Sequence, residues 1–546
     1  MPFPDFTPTV PVLVRNAAER FGSREFVVAD GERLTYTDVE ARSRVVAAGL
    51  LASGVGKGSR VGILMPNSVG WVVAAIAVAR IGAVFVPLNT FYQANELAWT
   101  VRHADLTHLV MRPNFLAHDY LERLETALPG LAEQSGERSI QLVAAPFLRA
   151  VFVWGACDRR WARGGEAELA AAGHRAGIDD EFVDAVERCV VPADPAVIVY
   201  SSGSTADPKG AIHTQGTVVR HSCNVQFGYP MGIDDVLFSS MPFFWIGGLI
   251  TALFACMHVG STLVTMGSFD PGDALDTLER ERATIAMGWP QQGKTMSEHA
   301  SFADHDLSSL VRTSMPDLVP PERRPPDVNS TSLGMTEMCS SHLLYDQYVP
   351  LPESRRGTFG LSMPGIEHKV IDPETQQELA PGREGELLVR GYSLMQGLQR
   401  REREDVFGDD GWYHTGDAGR FDDDGWFYFT GRLGEMIKTA GGANVTPTEV
   451  EAALMAYPEV LEAYVTGVPV VGGAGQDVAA AVVPRAGESL DPDELRVRLK
   501  GDLAAYKVPR HVAVCAKTEL PFTESGKIKK RELAEMLAER INSHPT

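Results

Sequence analysis

Apolar and polar positions fall in blocks along most of the chain. "RVGILMPNS" (60–68) is a short apolar run ending in turn residues and predicts a buried strand. "WVVAAIAVARIG" (71–82) is apolar nearly throughout and predicts a buried helix closed by Gly82, and "AVFVPLN" (83–89) predicts another strand. Strand, helix and strand at this spacing make a βαβ unit, which predicts a parallel sheet. The same opening recurs at "AVIVY" (196–200), followed by a polar loop and then a predicted helix. Segments 155–182 and 318–330 carry little apolar periodicity, and "VPPERRPPD" (319–327) predicts loop.

Near residue 431 the predicted elements shorten. Thr446-Pro447-Thr448-Glu449 supplies an N-cap hydroxyl, a proline at the first helical position and a glutamate at the third. "EVEAALMAY" (449–457) continues that helix. "LEAYVTGVPV" (461–470) and "DVAAAVVPRA" (477–486) read as strands, and "LDPDELRVRLKGDLAAY" (490–506) as a second capped helix. "TGRLGEMIK" (430–438) marks the boundary, with Gly434 as the easiest hinge. The expected fold class is α/β, with a large N-terminal domain of α/β sheets over 1–432 and a smaller α+β C-terminal domain over 433–546.

Composition narrows the functional classes. The chain has 546 residues, long for one compact core, with an ordinary globular share of apolar (44%) and charged (22%) residues. A formal charge of −21 argues against a general nucleic-acid or anionic-membrane binder, since those partners select basic surfaces. None of the six cysteines forms a CxxC pair, so neither a zinc site nor a dense disulfide framework is expected, and a reducing compartment fits. The opening "MPFPDFTPTVPVLVRNAAERFG" has no basic stretch followed by an apolar one, so no secretory signal is expected. The longest apolar run, Val69–Leu88, holds Arg80 and internal glycines and does not read as a membrane span. The expected location is cytoplasmic, and a homo-oligomer is left open. No repeat of fixed period is present.

One segment asks for a chemical reading. "YSSGSTADPKG" (200–210) closes the apolar run and holds four serine and threonine hydroxyls, two glycines and one lysine. Small residues at the end of a buried strand let backbone N–H groups converge on an anion, hydroxyls add donors and Lys209 adds charge, so a polyphosphate is the natural guest. Taken alone, the segment is equally a surface loop rich in turn formers. It is not a P-loop, because GxxxxGK[ST] is absent, and no dinucleotide GxGxxG is present.

This stretch resembles the [YF]TSG[ST]TGxPKG signature of the adenylate-forming superfamily, which holds acyl- and aryl-CoA synthetases, luciferase and peptide-synthetase adenylation domains. Four more matches follow in the family's order: "LGMTE" (333–337), "WYHTGD" (412–417), "GRLGEMIK" with "NVTPTEVE" (431–451), and "PFTESGKIKKREL" (521–533). The resemblance spans nearly the whole chain, is nearest to a bacterial fatty-acyl-CoA synthetase, and implies a mobile small domain. It implies that Ser201, Ser202, Gly203, Ser204, Thr205 and Lys209 hold the nucleotide phosphates, with Ser332, Leu333, Asp417 and Arg432 as further nucleotide contacts. Asp417 would accept both ribose hydroxyls, and Arg432 would reach the ribose or a phosphate. Thr336 would hold the α-phosphate, and Glu337 Mg²⁺, a hard ion wanting oxygen ligands. Lys527 would bridge carboxylate and nucleotide, whereas Lys529 and Lys530 read as a solvated basic tail. Trp245, Gly334 and Met335 would line the acyl pocket. Lys438, Gly441 and Gly442, in "KTAGGAN" (438–444), would line a CoA tunnel, and Gly434 would be the hinge.

The chain departs from the family at several points. Leu333 stands where a tyrosine is usual, so aliphatic packing would replace stacking on adenine. Gly434 stands where Asp or Lys is usual, and Trp245 where many relatives carry His. The loop around Gly441 is one residue longer, and the segment before Ser332 is several residues short. The implied activity is an ATP-dependent ligase joining a fatty or other apolar carboxylic acid to CoA through an acyl-adenylate, with ATP, Mg²⁺ and CoA required. The alternative is an acyl-AMP ligase loading a carrier-protein arm. Such ligases carry an insertion before the hinge, for which "RGYSLMQGLQRREREDVFGDDGWYHTGD" (390–417) leaves no room. An oxygenase reading has nothing to require it, and a non-catalytic scaffold conflicts with retention of Lys527, Glu337, Asp417 and Arg432.

Overall fold

The computed structural model describes residues 3–201, 208–324, 331–373, 375–433, 437–445, 447–470, 475–522 and 528–543, and within these not the side chains of 430–432, 444, 448, 542 and 543. The chain forms a larger and a smaller compact unit. The first comprises Met1–Thr90, Ala98–Tyr200 and Gly210–Gly431, and the second Phe91–Leu97, Ser201–Lys209 and Arg432–Thr546.

The first unit is built on two large sheets. One has eight strands in the order Gly397–Leu398, Lys209–Thr214, Pro195–Ser201, Val84–Pro87, Arg60–Leu64, His108–Met111, Ala150–Val153 and Ala162–Gly164. Its pairings from Pro195–Ser201 to Ala162–Gly164 are parallel. The other has six strands, with Glu25–Ala29, Thr262–Thr265, Val236–Ser239, Ile285–Met287 and Arg312–Thr313 parallel and Glu32–Thr35 antiparallel at one edge. Parallel strands covered on both faces read as unbroken apolar runs, which is why "VGIL" and "AVIV" lack alternation.

The helix Val69–Arg80 lies in the core that both sheets share, and all twelve of its residues are buried. Ser68 caps it by accepting the Trp71 N–H, and Gly82 at φ +71° turns the chain into Val84–Pro87. Arg80 is buried with partners on every side. Its Nε donates to Glu187 Oε1 at 2.6 Å, its Nη2 to Glu40 Oε1 at 2.8 Å, and its Nη1 to the Glu40 carbonyl and Ser43 Oγ at 2.8 Å. A guanidinium removed from water is tolerable only when its charge and donors are matched in this way.

Despite its weak apolar periodicity, the region 155–182 holds the strand Ala162–Gly164 and the helix Glu166–Arg175, and the helix Asp180–Arg188 begins within it. Glu166–Arg175 packs on Tyr36–Ala52 through glycines. A Cβ on Gly49 would sit 2.1 Å from the Leu169 carbonyl oxygen, and one on Gly173 3.0 Å from Ala48, so the contact is backbone to backbone and leaves little apolar signal. Contrary to expectation, the polar loop after Tyr200 leads first into the strand Lys209–Thr214, and only then into the helix Gln215–Asn224. A four-stranded antiparallel sheet, Ile366–Ile371, Gly385–Gly391, Tyr413–Phe421 and Phe427–Arg432, and a three-stranded one, Leu333–Met335, Ser340–Leu344 and Leu361–Ser362, complete this unit.

The second unit holds an antiparallel pair, Val460–Pro469 and Gln476–Pro484, extended in parallel by His511–Val514. Alternate residues serve opposite faces. Ala480 and Val482 pack with Leu454 and Leu499 on one side, and Ala479 and Ala481 with Leu533 and Leu537 on the other. The helix Pro447–Met455 opens on its proline, and Asp491 caps Pro492–Asp502 by accepting from the Asp493 and Glu494 N–H groups. Lys530 is not a solvated tail residue. It starts the helix Lys530–Ser543, and its Nζ donates to Glu451 Oε1 and to the Val465 carbonyl, each at 2.6 Å. Among the described residues, no helix is long and apolar enough to cross a membrane.

Candidate active site of an AMP-binding enzyme

Pro195–Ser201 lies within the eight-stranded sheet and pairs in parallel with Val84–Pro87, and the carboxyl ends of parallel strands are where open α/β sheets bind their ligands. Ser201 closes the strand and Lys209 begins the next, both half-buried. Ser202, Gly203, Ser204 and Thr205 lie outside the described residues. Gly210 permits tight packing, since a Cβ there would come within 2.9 Å of Ile198 and Tyr200.

The most constrained geometry is the turn after Leu333–Met335. Thr336–Met338 forms a single 3₁₀ turn, and both of its leading carbonyls are held. His213, on Lys209–Thr214, donates its Nε2–H to the Thr336 carbonyl at 2.7 Å, and the Met395 N–H donates to the Glu337 carbonyl at 2.8 Å. Cys339 at φ +62° and Ser340 at φ +139° follow, two consecutive non-glycine residues in left-handed conformations, and Thr251 meets Ser340 hydroxyl to hydroxyl at 2.9 Å. The half-buried Glu337 receives the Tyr413 hydroxyl at 3.5 Å. Burial holds the His213 imidazole neutral, down at about 4.

Asp417 is placed by an irregularity. Tyr413–Phe421 shifts register against Gly385–Gly391 between Glu386 and Leu388, and Gly416 adopts φ +69°. The shift turns Asp417 inward to 1% exposure, with its N–H donating to Thr415 Oγ1 at 3.0 Å. Arg432 closes the strand Phe427–Arg432, and its side chain is outside the description. Ser332 Oγ accepts from the Tyr229 hydroxyl at 3.1 Å. Leu333, read as a nucleotide contact, is only 2% exposed and packs with Leu343, Val370, Leu387 and Phe427. Gly334 sits where a Cβ would press to 3.0–3.1 Å on the Ser340–Ser341 backbone, and Met335 packs against the main core.

Trp245 precedes a π-helical segment, Gly247–Phe254, of the wide-turn kind often found at functional sites. Its ring is half-buried and meets Trp289 edge to face at 5.6 Å, with Phe244 at 5.4 Å. In the second unit, Lys438 and Gly441 lie on the exposed hairpin between Ile437–Lys438 and Asn444–Val445, with Gly442 at φ +77°. Thr439 Oγ1 braces this turn, accepting from the Ala443 N–H at 3.1 Å. Lys527 and Gly434 lie outside the described residues. Among the described residues no cluster of three or more His, Cys, Asp or Glu forms a metal cage. A lone carboxylate at Glu337 nevertheless suits Mg²⁺, which is held through one or two carboxylates plus substrate phosphates and water. Sequence reasoning missed His213 and Met395, whose contacts to the turn come from distant parts of the chain.

Residues 14–398 match the family model for the AMP-binding enzyme. The chain belongs to that family. Residues 449–527 match the model for the AMP-binding enzyme C-terminal domain, so the adenylate-forming resemblance holds across both parts. The enzyme is 32% identical to a feruloyl-CoA synthase of Amycolatopsis sp, covering 92% of this chain and 94% of that one. It is 28% identical to the mitochondrial medium-chain acyl-CoA ligase ACSF2 of Mus musculus, covering 98% and 88%. The solved amide bond synthetase McbA from Marinactinospora thermotolerans superposes with a TM-score of 0.77 at 26% identity, covering 96% and 99%.

Proposed function

We propose that this AMP-binding enzyme is an AMP-forming carboxylic acid–CoA ligase. The observation that carries the reading is the doubly clamped Thr336–Glu337 turn, which fixes a hydroxyl and a carboxylate for a nucleotide phosphate and its cation, in a family whose relatives include CoA ligases for aromatic and medium-chain acids. Thr336 holds the α-phosphate, Asp417 accepts the ribose hydroxyls, Arg432 and Ser332 add nucleotide contacts, and Ser201 to Thr205 with Lys209 hold the other phosphates. Glu337 would hold Mg²⁺, whose charge offsets that of the phosphates.

The acid needs no general base, because a carboxylic acid of pKa roughly 4–5 is already ionised at neutral pH. Its oxygen attacks the α-phosphorus and the bond to pyrophosphate breaks. The barrier is the approach of one anion to another, so donors and cations must be in place beforehand; Lys527 and Lys209 supply charge, and the loop N–H groups supply dipoles. The CoA sulfur then attacks the acyl carbon, AMP leaves with the oxygen that came from the acid, and the thiol proton passes to solvent. The hairpin of Lys438, Gly441 and Gly442 guides the pantetheine arm, and Gly434 is the hinge between the two half-reactions. Trp245 with Met335 and Gly334 forms the acyl wall, and the Trp245–Trp289 edge contact supports an apolar acid, fatty or aromatic. The free thiols of all six cysteines suit the cytoplasm.

The test is AMP and pyrophosphate release from ATP and Mg²⁺ over a panel of acids, with and without CoA. CoA-dependent AMP release supports the ligase. Bound acyl-AMP released only by a carrier-protein arm or an amine replaces CoA as the acceptor. No turnover with any acid overturns the reading.

A further inference from the structure

The Thr336–Glu337 turn is followed by two left-handed residues without glycine, Cys339 and Ser340, a conformation that persists only where the surroundings impose it. Besides the turn's own Cys339 N–H bond to the Thr336 carbonyl at 3.1 Å, two donors from outside hold its carbonyls, and one is a side chain: His213 Nε2–H to the Thr336 carbonyl at 2.7 Å. A carbonyl can only accept, so the imidazole is fixed as the Nε2–H form, which leaves Nδ1 as its acceptor nitrogen. Among the described residues that buried Nδ1 has no hydrogen-bond partner. An orphaned buried nitrogen is destabilising, and a leucine or phenylalanine would fill the same space without one. The imidazole therefore serves for its single N–H. His213 is also wholly buried and touches no solvent, so it is not itself a ligand for substrate.

We propose that His213 is a positioning residue for the carboxylate turn: its hydrogen bond to the Thr336 carbonyl sets where the Thr336 hydroxyl and the Glu337 carboxylate stand, and so sets how readily the ATP–metal complex is held. The inference rests on the reading of Glu337 as the metal-facing carboxylate. It differs from a packing role, because packing would affect stability and every substrate alike, whereas a displaced carboxylate changes the metal requirement first.

The test measures acid-dependent pyrophosphate release against free Mg²⁺ in the full-length enzyme. His213→Leu removes the donor; His213→Gln restores an N–H near the Nε2 position; His213→Asn carries an N–H too short to reach. The Leu and Asn variants are expected to raise half-saturating Mg²⁺ about fivefold, the size of effect one neutral hydrogen bond supports, with Gln within about twofold of wild type. Equal Mg²⁺ requirements for Gln and Asn overturn the proposal, and this comparison decides if the Leu variant does not fold. Glu337→Gln is measured alongside. If it leaves the Mg²⁺ requirement unchanged, the metal reading of Glu337 itself fails and takes the proposal with it; if it raises the requirement while Gln and Asn at 213 behave alike, only the role of His213 fails.

Discussion

Acid should unfold the larger unit well above the pH at which its carboxylates protonate. His108, His213, His221 and His342 are all buried in it, and burial likewise pulls His258 and His368, also in this unit, down to about 3. Burial pulls His108 and His213 down to about 4 and His221 to about 3, and holds His342 well below the ordinary value with help from the neighbouring His368 and His221. In the unfolded chain each titrates near 6.5. The unfolded state therefore binds more protons below that pH, and stability falls as pH falls from about 6.5 toward the folded values. Between pH 7.5 and 5.5 each of His108, His213, His221, His258 and His368 loses about 1.3 kcal/mol, roughly 6–7 kcal/mol together, and His342 acts in the same direction, a loss within the range of the total stability of a domain. Carboxylates that arginines hold low against the opposing effect of burial, such as Glu40 beside Arg80 and Asp235 beside Arg312, lose their contribution only below the ordinary carboxylate range, outside this window. Urea unfolding followed by tryptophan fluorescence should show a midpoint lower by on the order of 1 M at pH 5.5 than at 7.5. At least about four protons should be taken up on unfolding at pH 6.0. His108→Phe should remove at most about a fifth of that pH dependence. Equal midpoints at the two pH values, or an unchanged dependence in His108→Phe, would refute the reasoning.

Three further outcomes are expected. Trp245→Ala should shift the ratio of kcat/KM toward longer acids, about tenfold for two added methylenes, with the KM for ATP little changed; a uniform loss for every acid would make Trp245 a packing residue. Lys507→Met should destabilise the second unit by about 3–5 kcal/mol, read by urea unfolding of that unit, because it leaves buried carboxylates at Glu449 (2.6 Å) and Glu96 (2.9 Å) without their cation; a change under about 1 kcal/mol would contradict this. Lys527→Ala should abolish most adenylation yet leave thioester formation from supplied acyl-AMP largely intact, and equal losses in both half-reactions would argue against a role confined to the first step.

Legibility in the sequence followed how far each signal was local. The apolar run at 69–88, interrupted by one charge at the buried Arg80, specified the helix Val69–Arg80 and the strand Val84–Pro87 because every side chain there enters the core. The helix Glu166–Arg175 escaped notice because its contact with Tyr36–Ala52 is made by glycine and backbone, which leaves no apolar stripe to read. Lys530 looked solvated because its partners, Glu451 and the Val465 carbonyl, come from a distant strand and helix. The motif carboxylates Glu337 and Asp417 were legible as residues, but what positions them was not. The register shift before Asp417 and the His213 bond to Thr336 join segments 30 and 123 residues apart, and neither leaves a pattern along the chain.

The central claim is that a carboxylate oxygen of the acid attacks the α-phosphorus of ATP and departs with AMP. Its most direct test is a single turnover with an accepted acid labelled with ¹⁸O in both carboxylate oxygens, in the presence of ATP, Mg²⁺ and CoA, with the products read by mass spectrometry. The account predicts AMP carrying one ¹⁸O, a thioester retaining the other, and unlabelled pyrophosphate. Label in inorganic phosphate with release of ADP, or AMP free of label, would contradict it.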